Sequence, residues 1–443
     1  MTHRLRHIIQ FSIFCGLLFS AMPLAGQTVE PVINKDNSVT FTFVDSDADD
    51  VYLYGSFIPD GTPIYTPVGY FRKLGKHEMV QSGGVWTYTT KPLHPDIYTY
   101  YFDVDGEQTL DPSNNNVVRD GDEYLNFFII SGGVTNDYID HDVPHGMISK
   151  VWYDSSLPNA PHRRMIIYTP PQYKTNKQAR YPVLYLLHGS GGDEYTWSDL
   201  GRACQILDHL IAQGRCVPMI VVMPNGNANK AAAPVDDNPY LEDESHGGGI
   251  GSMLGYIENS FVQDIVNYVD SHYRVIKGKQ GRAIAGASMG GLHALYISAN
   301  NPDVFDYVGL FSAQTTTALM DDSRREQTKK VAKGIENVTD ALPFLKKTGL
   351  GKKATEFADA INGGKLEIYD DLNKKLETQF NNPPQLYYIA LGRNDFLKDM
   401  NDDFRSILDK NGYKYVYNET DGGHSWENWR RYLLDFLPRL FKK

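Results

Sequence analysis

The sequence reads Arg282-Ala283-Ile284-Ala285-Gly286-Ala287-Ser288-Met289-Gly290-Gly291-Leu292 at the point that decides the fold. The apolar run before Gly286 predicts a strand, and the residues after Ser288 predict a helix. Ser288 therefore stands at the apex of a tight strand–turn–helix junction. Glycines flank this serine because a side chain there would collide with the neighbouring strand or helix. A serine hydroxyl is a weak nucleophile, so this interpretation requires a base and an acid elsewhere in the chain.

Predicted strands alternate with predicted helices from Arg163 onward, which indicates a mainly parallel α/β sheet. Asp395 follows the predicted strand at residues 386–391, and His424 follows the one at 415–417. The chain order Ser288, Asp395, His424 is the order of an α/β-hydrolase triad. We expect His424 to accept the proton of Ser288, and Asp395 to fix the tautomer of His424.

Other residues compete for these roles. Asp395 could instead cap the helix that follows it, and Asp399 is the rival acid. His424 could be an ordinary histidine of a surface loop. His293 lies closer to Ser288 in the sequence but further down its helix, and His246 lies in a glycine-rich loop. Both are weaker candidates for the base.

A second glycine-rich turn, His188-Gly189-Ser190-Gly191-Gly192, follows another predicted strand. We expect the backbone amide of Met289, at the start of its helix, to be the first oxyanion donor. The amide of Ser190 is the preferred second donor, with Gly189 or Gly191 as alternatives, and His188 is expected to hold the loop. A phosphate-binding loop fits poorly, because no Lys-Ser or Lys-Thr follows the glycines.

At these motifs the chain resembles carbohydrate esterase family 1, the esterase D-like group of feruloyl and acetyl xylan esterases. The resemblance spans roughly residues 145–442. It implies an α/β-hydrolase fold, a serine esterase with Ser288, Asp395 and His424 in the family roles, and no metal or organic cofactor. A predicted helical insertion at residues 315–379 is longer than the family pattern, which leaves the acyl and sugar pockets open. The matching motifs include Tyr168-Thr169-Pro170-Pro171-Gln172-Tyr173, Leu186-Leu187-His188-Gly189, Val222-Met223-Pro224-Asn225-Gly226, Ala285-Gly286-Ala287-Ser288-Met289-Gly290-Gly291 and Gly422-Gly423-His424-Ser425-Trp426.

Residues 27–135 read as short strands separated by turns, which predicts an immunoglobulin-like β-sandwich. This segment resembles carbohydrate-binding module family 48. The resemblance suggests glycan contact through exposed aromatics such as Trp86 or Tyr100. The alternative is that these rings are core packing and that the module only braces its neighbour. The matching pieces are Leu53-Tyr54-Gly55-Ser56-Phe57, Gly84-Val85-Trp86, Ile97-Tyr98-Thr99-Tyr100-Tyr101-Phe102 and Asp111-Pro112-Ser113-Asn114.

Residues 1–26 read as a signal peptide, because Arg4 and Arg6 precede an apolar run that is too short to span a bilayer. A membrane anchor is the alternative. We therefore expect a secreted or periplasmic protein without an integral membrane segment in the mature chain. The formal net charge of −11 argues against nucleic acid as a partner. The expected partners are ester-bearing oligosaccharides or polysaccharides of the plant cell wall.

Residues 136–162 are predicted to be a linker, and the C-terminal domain is predicted to cover 163–443. His141, Asp142 and His145 in the linker could hold a metal, but their spacing suits a polar loop equally well, so no metal site is predicted.

Three tryptophans near the motifs could stack on a planar acyl group, or could be core packing. They are Trp197, Trp426 and Trp429. The predicted function is hydrolysis of feruloyl or acetyl esters on xylan. A general carboxylesterase or acyltransferase of the same fold, or a non-catalytic glycan-binding protein, are the alternatives.

Overall fold

The structure is a computed structural model. It describes residues 29–442 except for 59–62, 67–68, 73–74, 121–122, 158–159, 229, 234–254 and most of 316–364. The predicted signal peptide, the competing histidine His246 and most of the predicted insertion at 315–379 lie outside the described residues.

Strands β1 to β12 form the N-terminal module, which is built from antiparallel sheets. One large sheet has the order β1-β2-β8-β7, and the other has the order β11-β12-β9-β3-β6 with β10 beside β9, while β4 and β5 form a separate two-stranded sheet. Alternation along β2 buries Val39, Phe41 and Phe43, and both sheets contribute side chains to one apolar core. The strands are β1 (Val29–Ile33), β2 (Val39–Val44), β3 (Val51–Gly55), β4 (Pro63–Thr66), β5 (Gly69–Arg72), β6 (Gly75–Glu78), β7 (Val80–Ser82), β8 (Val85–Thr89), β9 (Ile97–Val104), β10 (Glu107–Thr109), β11 (Val117–Asp120) and β12 (Glu123–Ile129).

The C-terminal domain contains an eight-stranded sheet of order β13-β14-β16-β15-β17-β18-β19-β20. The two strands at one edge are antiparallel to their neighbours, and the remaining pairs are parallel. The central strands are continuous apolar runs that are buried on both faces. This is the sheet of the predicted α/β-hydrolase domain. The strands are β13 (Met147–Asp154), β14 (His162–Thr169), β15 (Val183–Leu187), β16 (Ile220–Pro224), β17 (Arg282–Ala287), β18 (Tyr307–Phe311), β19 (Leu386–Gly392) and β20 (Val416–Thr420).

Helices cover both faces of this sheet. Along β15, Tyr185 and Leu187 face the layer that contains α3 to α7, whereas Leu184 and Leu186 face the layer that contains α2 and α8. A π-helical turn at Val262–Val266 joins α3 to α4. The helices are α1 (Thr196–Asp199), α2 (Ala203–Ala212), α3 (Tyr256–Phe261), α4 (Asn267–His272), α5 (Met289–Asn300), α6 (Leu372–Asn381), α7 (Lys398–Lys410) and α8 (Trp426–Phe436).

The predicted linker at residues 136–162 is wrong in its second half. Residues Met147–Asp154 form β13, which pairs along its whole length with β14. The C-terminal sheet therefore begins before the predicted boundary at residue 163. Of the predicted helical insertion, the described part contains a 3₁₀ turn at Lys365–Tyr369 and helix α6.

The N-terminal module packs against the layer that contains α2 and α8. Ile97 of the module shares a buried apolar cluster with Trp197 and Trp429 of the C-terminal domain. The two cysteines of the described chain, Cys204 and Cys216, are buried and free. Among the described residues, no helix combines the length and the apolar character that a membrane span requires.

Candidate active site

Ser288 occupies a strained position between β17 and α5. Its φ of 55° and ψ of −115° lie where a residue with a Cβ is disfavoured. A Cβ on Gly286 would lie 2.3 Å from the Gly290 carbonyl carbon and oxygen, and one on Gly290 would lie 2.4 Å from the Leu187 oxygen. Only glycine at both positions lets α5 turn so closely against β15. The Ser288 hydroxyl makes no capping hydrogen bond to α5.

Asp395 and His424 are joined by hydrogen bonds. Nδ1 of His424 lies 3.1 Å from both carboxylate oxygens of Asp395. The Asp395 side chain is fully buried, and that of His424 is 11% exposed. The Leu397 amide also donates to Asp395, at 2.9 Å. Because a carboxylate can only accept these bonds, Nδ1 of His424 carries a proton and Nε2 is left as the basic nitrogen.

The electrostatics of the pair keep Asp395 charged. Burial alone would raise the pKa of the Asp395 carboxyl. The hydrogen bonds from His424 and from the Leu397 amide oppose this effect, as does the charge of His424 whenever its ring is protonated, and together they lower the pKa of Asp395 below its ordinary value. Asp395 is therefore ionised at neutral pH.

Backbone contacts between two neighbouring loops fix this pair. The Asn394 amide donates to the Gly422 carbonyl at 2.9 Å, and the Arg393 amide donates to the Thr420 carbonyl at 2.9 Å. The Asn428 side chain donates to the Gly423 carbonyl at 2.9 Å, which ties the loop of His424 to α8. The acid and the base therefore sit on loops that follow adjacent strands, β19 and β20.

Gly189 lies beside both Ser288 and Trp429. A Cβ on Gly189 would lie 3.3 Å from the Ser288 Cβ and 3.8 Å from the Trp429 ring. The Trp429 ring in turn meets the His424 imidazole edge-on, with centroids 5.0 Å apart. Ser288, Asp395 and His424 follow β17, β19 and β20, so all three lie at the carboxyl edge of the parallel sheet, where open α/β sheets bind ligands.

The 188–196 loop lies beside the start of α5. The Ser190 hydroxyl donates to the Met289 sulfur at 3.6 Å, so the two expected oxyanion donors belong to neighbouring residues. The Gly226 amide donates to Nε2 of His188 at 2.7 Å, and Nδ1 of His188 contacts the Gly189 carbonyl at 2.8 Å. Burial lowers the pKa of His188 to about 4. His188 is therefore a neutral residue that ties two loops together, as the sequence suggested.

Asp399, the competing acid, and His293, the competing base that the structure describes, are not part of the Asp395–His424 pair. His293 is 1% exposed, and its Nδ1 lies 2.8 Å from the buried Glu258 carboxylate. Asp399 lies in the first turn of α7 and is exposed. The carboxylate that contacts the His424 ring is that of Asp395.

The predicted aromatic contacts need correction. Trp86 and Tyr100 are 6% and 0% exposed, so they are core residues of the N-terminal module and not exposed glycan contacts. Trp197 is 1% exposed and donates its Nε1–H to the Leu187 carbonyl, which makes it a core residue as well. Trp426 packs edge-on against Trp197 with centroids 5.2 Å apart. Of the predicted set, Trp429 alone contacts His424 through its ring.

Phe396 also contacts His424, although it was not predicted from the sequence. Its ring is half-buried and lies 4.5 Å from the His424 imidazole, centroid to centroid. The one available signal was its position immediately after Asp395.

The histidines of the predicted linker contact other residues of the same chain. His141 contacts the Asn136 carbonyl, and His145 lies 3.0 Å from the Asp208 carboxylate. Within the described part of the chain, no three His, Cys, Asp or Glu side chains are grouped as a metal site would require.

The family model described as Putative esterase matches residues 159–440. An endo-1,4-beta-xylanase/feruloyl esterase of Xylanibacter ruminicola is 30% identical over 58% of this chain and 34% of its own length. An acetyl esterase of Caldicellulosiruptor saccharolyticus is 24% identical over 59% of this chain and 83% of its own length. The chain thus matches about a third of the first relative.

Among solved structures, the enterobactin esterase of Shigella flexneri superposes with a TM-score of 0.54 at 15% identity. The superposition covers 91% of this chain and 93% of that one. At this identity, the likeness concerns the fold alone.

Proposed function

The chain belongs to the esterase family, its domain at residues 159–440 is a carboxylic ester hydrolase, and from this premise we propose a serine esterase mechanism. Ser288 attacks the ester carbonyl carbon and passes its proton to Nε2 of His424. Asp395 stays ionised and stabilises the imidazolium that results. The observation that carries this proposal is the bond between His424 Nδ1 and Asp395 at the same sheet edge as the strained Ser288.

The backbone amides of Met289 and Ser190 are proposed to stabilise the negative charge of the tetrahedral intermediate. When the intermediate collapses, the alcohol leaves with the proton from His424 and the acyl group stays on the Ser288 oxygen. Water then attacks the acyl-enzyme, His424 takes its proton, and release of the acid regenerates Ser288.

The proposed substrates are feruloyl or acetyl esters on xylan of the plant cell wall. The two relatives named as a feruloyl esterase and an acetyl esterase support this substrate class. The half-buried Phe396 ring beside His424 favours a planar aromatic acyl group, because offset or edge-on ring contacts add attraction beyond burial. We propose feruloyl as the preferred acyl group.

Two further proposals concern export and the N-terminal module. We propose export through the signal peptide at residues 1–26, and an immunoglobulin-like fold of the family 48 type for the N-terminal module. Glycan binding by this module would have to use residues other than Trp86 and Tyr100, since both are buried.

The test compares kcat/KM for methyl ferulate and for acetylated xylan with one preparation of the protein. We expect kcat/KM for methyl ferulate to be at least as high as kcat/KM for acetylated xylan. The acyl pocket has to discriminate between the two acyl groups. Phe396→Ala should lower kcat/KM for methyl ferulate by about 2- to 10-fold and leave that for nitrophenyl acetate nearly unchanged. A clear preference of the wild type for acetyl groups would reject the feruloyl assignment.

A further inference from the structure

The N-terminal module meets the C-terminal domain next to the candidate active site. Val118 of β11 and Leu125 of β12 share a buried apolar cluster with Leu200, the residue that follows α1. Phe127 and Trp426 pack against the same cluster. Trp426 is the first residue of α8 and comes two positions after His424. The contact between the domains therefore lies within a few residues of the site.

An ion pair crosses this contact and ends on the 188–196 loop. Arg119 of β11 pairs with the Asp193 carboxylate, and the two side chains are 11% and 5% exposed. Asp193 also organises the loop itself. Its carboxylate accepts the Tyr195 amide at 2.8 Å, and its own amide donates to the Thr196 hydroxyl at 2.7 Å. Arg119 thus supplies the counter-charge for the Asp193 carboxylate, and Asp193 organises residues 193–196 of the loop.

The first half of the loop carries Ser190, the proposed second oxyanion donor. The Gly192 amide donates to the Gly189 carbonyl at 3.1 Å, so residues 189–192 form one tight turn that leads directly into Asp193. The Asn227 side chain donates to the Gly192 carbonyl at 2.7 Å. The position of the Ser190 amide is therefore coupled, through a single turn, to the position of Asp193.

A second buried pair ties the module to the helix that follows the base. Arg430 of α8 donates to the Asp96 carboxylate at 2.7 Å and to the Ile97 carbonyl at 3.2 Å, and its side chain is 2% exposed. It also donates to the Leu200 carbonyl at 2.9 Å. The module is thus bonded to both sides of the site, the 188–196 loop and α8.

We propose that the N-terminal module is a positioning element of the active site, and that Arg119 positions the 188–196 loop through Asp193. Hydrolysis even of a small ester, which has no glycan for the module to bind, then depends on Arg119. The inference rests on the proposed serine esterase mechanism. Without Arg119, the buried Asp193 carboxylate lacks its counter-charge and must turn toward water, which moves the turn at 189–192. A displacement of about 1 Å at a catalytic donor can cost on the order of 10² in rate.

The test uses the full chain with Arg119→Ala, Arg119→Lys and Arg431→Ala, and nitrophenyl acetate as the substrate. Arg431 is the matched control, because it also reaches across the interface, 3.6 Å from Asp96, but does not touch the 188–196 loop. We expect Arg119→Ala to lower kcat by about 10- to 100-fold with KM changed less than about threefold. Arg119→Lys should recover part of this loss, and Arg431→Ala should stay within about twofold of the wild type.

Amide hydrogen exchange of the peptide that covers residues 189–196 gives a readout that does not depend on activity. The proposal expects faster exchange there in Arg119→Ala than in Arg431→Ala. Unchanged kcat in Arg119→Ala, or a loss that matches only its unfolded fraction, would overturn the proposal. Full ester hydrolysis by Ser288→Ala would instead remove the proposed mechanism, and the exchange measurement would still decide whether Arg119 positions the loop.

Discussion

Ser288 has a strained backbone conformation at the junction between β17 and α5. A φ of 55° costs free energy for a serine, and such strain persists only where the surroundings leave no alternative. Here the close approach of α5 to β15 at Gly290 leaves none, because any larger residue would overlap the Leu187 carbonyl. The tight turn between β17 and α5 thus places Ser288 at the carboxyl edge of the sheet.

Asp395 is the residue whose replacement best separates geometry from chemistry. Asp395→Asn keeps the size of the side chain but offers His424 an amide, which favours the wrong tautomer of the imidazole. We expect kcat for nitrophenyl acetate to fall by about 10⁴-fold with the fold intact.

Asp399→Asn is the matched control, because Asp399 is exposed on the next helix and does not bond to the His424 ring. Its kcat should stay within about twofold of the wild type. If Asp399→Asn proved the more damaging change, Asp395 would not be the acid.

Ser288 and Asp395 could be chosen from the sequence because each follows an apolar run that forms a buried strand. His424 follows β20, a half-buried strand of mixed composition, and was chosen from the chain order of the three residues. The sequence could not rank the tryptophans. Burial of Trp197 depends on packing from Phe311 and Trp426, which are far from it in the chain. Proximity to a motif in sequence is therefore weak evidence that an aromatic residue faces a substrate.

Among the elements, the strand predicted at residues 386–391 matches β19 (Leu386–Gly392) to within one residue, since a strand buried on both faces is a continuous apolar run. Strand β13 was missed because it lies at the edge of the sheet and most of its residues are exposed or half-buried. An edge strand of this kind has no apolar run to mark it, so the C-terminal domain was predicted to begin too late.

His188 links the loops after β15 and β16 only in its neutral form. Its pKa is about 4 in the folded protein, against 6.5 for an unburied histidine. Below pH 6.5 the unfolded chain therefore binds a proton that the folded protein refuses. The stability that neutral His188 contributes is complete above pH 6.5 and is lost as the pH falls toward 4, by about 3 kcal/mol.

Urea unfolding of the wild type and of His188→Gln at pH 7 and pH 4.5 measures this effect. The wild type should lose about 2 to 3 kcal/mol more than the variant between the two pH values, although the variant is less stable at pH 7. Parallel losses in the two proteins would show that His188 does not titrate on unfolding.

For the molecule as a whole, the contact between the two domains could not be predicted from the sequence. Its central pair joins Asp96 and Arg430, and residues of the module such as Ile97 read as ordinary core positions. Nothing in the local pattern distinguishes a side chain that packs within its own sheet from one that packs against another domain. The sequence therefore left bracing and glycan binding as equal alternatives for the module.

Asp96→Asn should destabilise the protein as a whole, because Arg430 is 2% exposed and would keep its charge without a counter-charge. We expect a loss of about 3 to 5 kcal/mol in the free energy of unfolding, measured in urea. Asp402→Asn removes the 42%-exposed partner of Lys398 and should cost less than about 1 kcal/mol. Equal losses in the free energy of unfolding would mean that the buried pair between the domains contributes no more stability than an exposed surface pair.

The proposed mechanism requires an acyl-enzyme on Ser288, so the decisive variant is Ser288→Ala, assayed with nitrophenyl acetate as substrate. The loss of the hydroxyl removes the proposed nucleophile, so the rate should fall by several orders of magnitude. The thermal midpoint should stay close to that of the wild type, because the side chain adds little packing. A variant that kept more than about a tenth of the wild-type rate would show that Ser288 is not the nucleophile.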